Sequence, residues 1–402
     1  MILKHVSSSW WGPPKKFDTN HKERRVSWLE LFFDLVYVIA ISRITHHLAA
    51  NNNESGFIEY ICLFPLIYWG WLNGSLHHDL HGNQGLRTRL MTLWQMMIIA
   101  ALAIVVDNET AAHHHNITIV LIVMQLFITY QWWSVGLYDK DHRRYNWPYT
   151  IFFILSAGLM ALDLVVSANW LWVIIPLVIF CNYCPPFIAH ALLRRSSKEL
   201  NLSSSMFERL GLFTIIIFGE LVLGVVNGIA EVGNLDFYTW IDFALAISLV
   251  FALWWIFFTM IARREAKRNF ARASLLELLY IPTLISLGFL ASGLPSYFTE
   301  SSMESIQSLF NYSIAAFLLC VSLLISLLRY PAIFSSIIKN MRLSIALTGF
   351  VFIALNIFSL YFSKSTYLLM VILILSIEIS YLNFVYYRKL SIEGMEPPDD
   401  QS

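Results

Sequence analysis

Runs of about 20 mostly apolar residues recur along nearly the whole chain, and no other feature restricts its fold as strongly. Twenty helical residues rise about 30 Å, the thickness of bilayer hydrocarbon. Such runs lie at 28–48, 57–76, 90–106, 117–137, 149–167, 170–190, 210–230, 237–261, 275–293, 306–328, 343–362 and 366–387. In hydrocarbon each backbone N–H and C=O must be paired within the protein, and a helix does this within a single segment. The sequence therefore predicts an all-α polytopic membrane protein with twelve transmembrane helices. Aromatic residues flank several runs as interface anchors do, namely Trp28, Trp147, Tyr149, Trp170, Tyr238, Tyr330 and Tyr367.

Composition excludes the main soluble classes. The chain is 57% apolar and 13% charged, against about 45–50% and about 25% in soluble domains. Lys+Arg and Asp+Glu balance at 27 each, which gives no basic excess for nucleic acid. Cys62, Cys181, Cys184 and Cys320 all sit in apolar runs, so they do not suggest a secreted disulfide framework. The polar, basic first 27 residues do not read as a cleaved signal peptide.

Orientation follows from the basic residues. With twelve alternating spans and the N-terminus inside, every Lys and Arg except Arg43 and Lys364 falls in a cytoplasmic segment. Short cytoplasmic loops are enriched in these residues, so both termini are expected in the cytoplasm and the chain in the cytoplasmic membrane. The expected organisation is a tail (1–27), six helices (28–190), a cytoplasmic linker (191–209), six more helices (210–387) and a second tail (388–402).

The two sets of helices read as a repeat. LELFF (29–33) and LGLFT (210–214) open corresponding spans, and FIEYI (57–61) and FYTWI (237–241) open the next pair. Six spans followed by six keep the same orientation, so the halves are expected to form a parallel repeat of the kind found in transporters.

Ionisable groups within spans cost about 2.5–3.5 kcal/mol each at mid-helix and usually face a partner or a cavity. Glu30 and Asp34 are neighbours on one helix face, four residues apart. Glu30 also suits the positive end of the helix dipole. Asp34 lies about 9 Å further in, which removes that explanation and points to a buried network. Arg43 projects from the opposite face of the same helix, so it either finds a partner on another helix or extends to the outer headgroups. Glu220 lies about 15 Å into its span, between Gly219 and Gly224, and is the expected midplane site for a cation or proton. Its plainer alternative is a protonated acid bonded to a neighbouring helix. Glu378 is a second such acid, while Asp107 and Asp163 lie near outer ends and are expected to be hydrated. Pro65, Pro282 and Pro185-Pro186 are expected to break their helices. Cys181-x-x-Cys184 reads as packed thiols. His46 and His47 could face His113, His114 and His115 at the outer edge and bind a metal there, but no spacing enforces it and loop histidines are the simpler reading. No cofactor or metal is expected.

WLELFFDLVYVIAIS (28–42), followed by His46-His47-Leu48, resembles the opening of the bacterial low temperature requirement A family. ERLGLFTIIIFGELVLG (208–224) resembles its second hallmark, and YWGWLN (68–73) and Trp254-Trp255 also resemble family positions. The resemblance implies a polytopic membrane protein named for growth in the cold. It directs attention to Glu30, Phe32, Phe33, Asp34, Glu208, Arg209, Gly219 and Glu220. A fainter similarity links Phe32-x-Asp34 and His77-His78 to potassium channels built from six-helix units, which implies an apolar constriction at Ile39. Trp28 and Ile215 depart from that channel pattern, and Glu220 takes the place of the second constriction residue.

The function expected from these features is transport of a small solute or ion along a path between the two repeats, with no enzymatic activity. A potassium-like cation channel, a membrane enzyme acting on a lipid-linked substrate and a non-transporting scaffold are the alternatives. The expected partners are the bilayer, a small solute or cation and a second copy of the chain, with no nucleic acid.

Overall fold

The computed structural model describes residues 26–393 apart from the short segments 83–84, 109–112, 140–142, 193–202, 268–269 and 300–302 and the single residues 234, 263 and 359. The expected N-terminal tail to residue 25, most of the 191–209 linker and the C-terminal tail beyond residue 393 lie outside the described residues. Helices α1 Trp28–Ala50, α2 Glu54–His81, α3 Leu86–Asp107, α4 His113–Tyr138, α5 Arg143–Asp163, α6 Leu171–Tyr183 and α7 Pro185–Leu192 come first. They are followed by α8 Ser204–Glu231, α9 Phe237–Ile261, α10 Phe270–Thr299, α11 Met303–Leu327, α12 Ser335–Ile357 and α13 Lys364–Ile392. A two-residue antiparallel ribbon pairs β1 Glu265–Ala266 with β2 Leu328–Arg329.

Nine described helices are long and apolar enough to cross a membrane: α2, α3, α4 and α8 to α13. The bent pair α6 and α7 makes ten when counted as one span. This is the architecture of a multi-pass membrane protein. Each of the twelve predicted runs is helical over most of its length, with 149–167 and 343–362 running past the ends of α5 and α12, but α1 and α5 lie outside the apolar set. The polar groups Glu30, Asp34, Arg43, His46 and His47 lower the hydropathy of α1, and α5 begins Arg143-Arg144-Tyr-Asn. At 23 residues, α1 is still about 34 Å long, enough to span hydrocarbon.

The chain divides into two compact units, Met1–Phe213 with Arg268–Ser274 and Thr214–Lys267 with Leu275–Ser402. The division falls inside α8. In the first unit α1 packs on α2 and α3, and α4 packs on α3 and α5. In the second unit α9 packs on α13, and α12 lies between α11 and α13.

Local chemistry explains the helix starts and breaks. Ser27 caps α1: its Oγ accepts from Glu30 N–H at 3.4 Å, and the Glu30 carboxylate accepts the Ser27 N–H at 2.9 Å. This reciprocal capping box satisfies two orphan donors. Pro185 and Pro186 supply no N–H, so the carbonyls of Cys181 and Asn182 lose their helical donors. The chain bends by 47° there, and the Trp69 indole donates to the Asn182 carbonyl at 2.9 Å. Pro65 and Pro282, by contrast, do not break their helices. α2 and α10 run straight through both prolines, because one missing donor is tolerated where neighbouring groups can re-pair the backbone. Tyr149 and Tyr367, expected at the interface, are buried instead, where their hydroxyls bond Tyr145 and Asn311.

Candidate functional site: a buried charge centre

At the N-terminal end of α1, two carboxylates and a guanidinium meet inside the first unit. Asp34 Oδ1 accepts from Arg209 Nη2 at 2.5 Å and Oδ2 accepts from Arg209 Nε at 3.1 Å, a forked ion pair. The same Oδ1 accepts the Trp71 indole N–H at 2.7 Å. Glu30 Oε1 lies 3.5 Å from Arg209 Nη1 and 3.8 Å from His78 Nε2. The side chains of Glu30, Asp34 and Arg209 are each at most 2% exposed.

Helix geometry assembles this centre. Glu30 and Asp34 share one face of α1 through their four-residue spacing. Trp71 and His78 lie in the C-terminal half of the antiparallel α2, and Arg209 lies in the second turn of α8. The rings of Phe33 and Trp71 stand 5.6 and 5.8 Å from the Arg209 guanidinium carbon. Phe213 then packs on Trp71 at a centroid distance of 4.4 Å. A planar guanidinium suits this environment because it bonds a carboxylate in two places while its faces lie on aromatic rings. Gln95 on α3 donates to Tyr37 Oη at 2.9 Å and to the Gly70 carbonyl at 3.0 Å, which ties the next layer together.

A cavity of about 40 Å³ adjoins the centre, lined by Glu30, His77, His81, Arg87, Gln95 and Arg209 among others. At about 10–15 Å³ for each ordered water, it has room for a few waters or a small ion. At the cavity, Arg209 Nη1 has only the 3.5 Å ion pair with Glu30, and His77 Nε2 has no hydrogen-bond partner among the described residues. The cavity wall thus carries the Arg209 guanidinium and the His77 imidazole.

The two segments that carry the family resemblance, 28–42 and 208–224, therefore meet at Asp34–Arg209. Residues 25–378 match the family described as Bacterial low temperature requirement A protein. The chain belongs to this family. No protein with a curated description matches the chain. Not all low temperature requirement A hallmark residues are at the centre. Phe33 is buried against Arg209, whereas Phe32 is 55% exposed on the outer face of α1 with Leu35 and Ile39. Glu208 is exposed beside the buried Arg209. Gly219 faces open space, and the close helix contacts come at Gly224 and Gly228, which pack against α10.

The remaining expected residues lie elsewhere. Arg43 does find a partner on another helix, Asp107 of α3 at 2.7 Å, with both side chains partly exposed. Asp163, expected to be hydrated, is instead a buried acceptor for His114 at 2.9 Å and Thr118 at 3.1 Å. In the second unit, Glu378 accepts from Ser344 at 2.7 Å and Thr348 at 2.9 Å. Glu220 is half-buried in the same unit. All four cysteines are free thiols.

Arg209 and Trp71 stand out in the sequence only through the family resemblance. Charge patterning alone puts Arg209 in a cytoplasmic linker, although α8 begins at Ser204 and buries it. Gln95 carries no charge and gives no sequence signal. Glu277, buried in α10, was readable by the argument applied to Glu220, because it too is an acid within a predicted span.

Proposed function

We propose that this protein carries a small solute or ion across the cytoplasmic membrane, using the Asp34–Arg209 centre and its cavity as a polar binding element. The proposed topology has twelve spans in two parallel six-helix repeats with both termini in the cytoplasm. The centre then lies near the cytoplasmic face, since α1 enters from that side. Glu220 is the proposed second element, further along α8.

One observation supports the reading: a buried cluster of Glu30, Asp34 and Arg209 adjoins a cavity that Glu30, His77 and Arg209 help to line. A centre serving only to fasten helices needs no cavity beside its charges, because a packed interior leaves few voids as large as a water molecule. Glu378, bonded by two hydroxyls, shows what such a fastening acid looks like. Intramembrane charges commonly mark substrate or ion paths.

The test is flux into proteoliposomes over a panel of inorganic ions, amino acids and small organic acids, for wild type and Glu220→Gln. Wild-type flux above empty vesicles, reduced about tenfold or more in the variant, is the expected result. Such a drop corresponds to losing a contact worth about 1.4 kcal/mol. Wild-type vesicles that match empty ones across the panel would overturn the transport reading, and unchanged flux in Glu220→Gln would remove Glu220 from it.

A further inference from the structure

We infer a divalent-metal site of the zinc class, formed by His47, Glu59 and His113 at the end of the first unit opposite the charge centre. The three ligands come from three helices: the last turn of α1, the second turn of α2 and the first residue of α4. His47 lies 13 residues beyond Asp34, about 20 Å along α1. The geometry depends only on the first unit, so it stands apart from the transport reading.

The donor atoms have metal-site spacing. His47 Nε2 is 3.4 Å from Glu59 Oε2, and His113 Nε2 is 3.2 Å from Glu59 Oε1. Ligands about 2.0–2.1 Å from a tetrahedral zinc stand about 3.3 Å apart, whereas neighbouring ligands in an octahedron at that bond length stand about 2.9 Å apart. One donor atom from each of the three residues fits within a span of 4.8 Å, and the two imidazole rings are stacked with centroids 5.4 Å apart.

The hydrogen bonds around the ligands favour a cation between them. His113 Nδ1 lies 3.2 Å from the Asn108 carbonyl oxygen. A carbonyl only accepts, so Nδ1 carries a proton and Nε2 is the atom left to face the carboxylate. The Asn51 amide nitrogen lies 3.4 Å from His47 Nε2. Both Nε2 atoms therefore converge on the two oxygens of one carboxylate at 3.2–3.4 Å, where a proton or a metal cation must lie between nitrogen and oxygen. A backbone carbonyl holding the far ring nitrogen is also the usual outer partner of a metal-bound histidine.

Two histidines and one carboxylate with one position left open are a common zinc ligand set. Glu59 and His113 border a cavity of about 270 Å³ whose wall includes Cys62, His114, Leu63 and Ile117. The open position thus has room for water or a small anionic ligand. In the sequence, metal binding by the outer histidines is only the weaker alternative to loop residues, since no spacing joins positions 47 and 113.

The experiment uses the full-length protein in detergent, stripped with a chelator and titrated with Zn²⁺ alone by calorimetry. Cobalt(II) substitution reports coordination geometry through its visible spectrum. Wild type and the exposed-site control His115→Ala are expected to bind one Zn²⁺ per chain and to give a tetrahedral cobalt spectrum. Glu59→Gln and His113→Gln are expected to weaken binding by more than the about 10–100-fold lost with an outer-shell partner, with helical circular dichroism unchanged. Equal affinity in wild type and in both folded variants would overturn the site. So would a folded wild type that takes up no Zn²⁺, which would mean that a proton bridges these groups.

Discussion

Removing one member of the Asp34–Arg209 pair should destabilise the protein far more than removing both. In Arg209→Met, Asp34 keeps the Trp71 N–H but loses both guanidinium bonds, and Glu30 loses the cation 3.5 Å away. In Asp34→Asn, Arg209 is left with Glu30 as its nearest anion. Stranding a buried charge in this way costs about 3–5 kcal/mol, so the two single substitutions together sum to about 6–10 kcal/mol. In the double variant Asp34→Asn/Arg209→Met the pair is neutral, and the Asn carbonyl still accepts from Trp71. The unsatisfied amide donors cost about 1–3 kcal/mol, and the loss of the Arg209 cation by Glu30 is common to Arg209→Met and the double variant, so it cancels from the coupling. The coupling should therefore exceed about 3 kcal/mol. Equilibrium unfolding in mixed micelles, followed by tryptophan fluorescence and far-ultraviolet circular dichroism, measures all four species. Single variants within about 1 kcal/mol of wild type, or costs that add to within about 0.5 kcal/mol as for independent sites, would refute the buried ion pair.

Three further expectations follow from the same contacts. Arg43→Ala should cost under about 1 kcal/mol in the same unfolding assay, because its pair with Asp107 is partly exposed and such pairs are weak. Glu378→Leu should cost about 1–3 kcal/mol for the Thr348 hydroxyl that loses its acceptor, since Ser344 keeps the Met341 carbonyl, and Thr348→Val in that background should recover part of the loss. Trp69→Phe keeps the ring but removes the N–H that pairs the Asn182 carbonyl at the α6–α7 bend. It should cost about 1–3 kcal/mol and speed amide exchange around residues 181–184.

Helices were legible in this sequence because bilayer-length apolar runs leave the backbone few alternatives. Their ends were less so. Arg87, Arg89, Arg143 and Arg144 suggested loops, yet they occupy the first turns of α3 and α5. A charged side chain at a helix end can reach water while its backbone stays helical. Asp34 was recognisable as a network residue from its depth alone. Its partner was not, because Arg209 lies 175 positions away and its basic neighbourhood resembles a cytoplasmic loop. The same limit hid the approach of His47 to His113. Pro65 and Pro282 misled for the opposite reason: each removes one backbone donor, yet its helix continues through the proline.

The cavity beside Arg209 is where the transport proposal is most exposed to experiment. His77→Gln removes the imidazole at the cavity wall while leaving Asp34, Trp71 and Arg209 untouched. The decisive measurement is the initial uptake rate of this variant in proteoliposomes, at matched protein density and with helical content verified, using whichever solute wild type carries. A rate lower by about tenfold or more is expected; uptake at the wild-type rate would contradict the assignment of this cavity to the transport path.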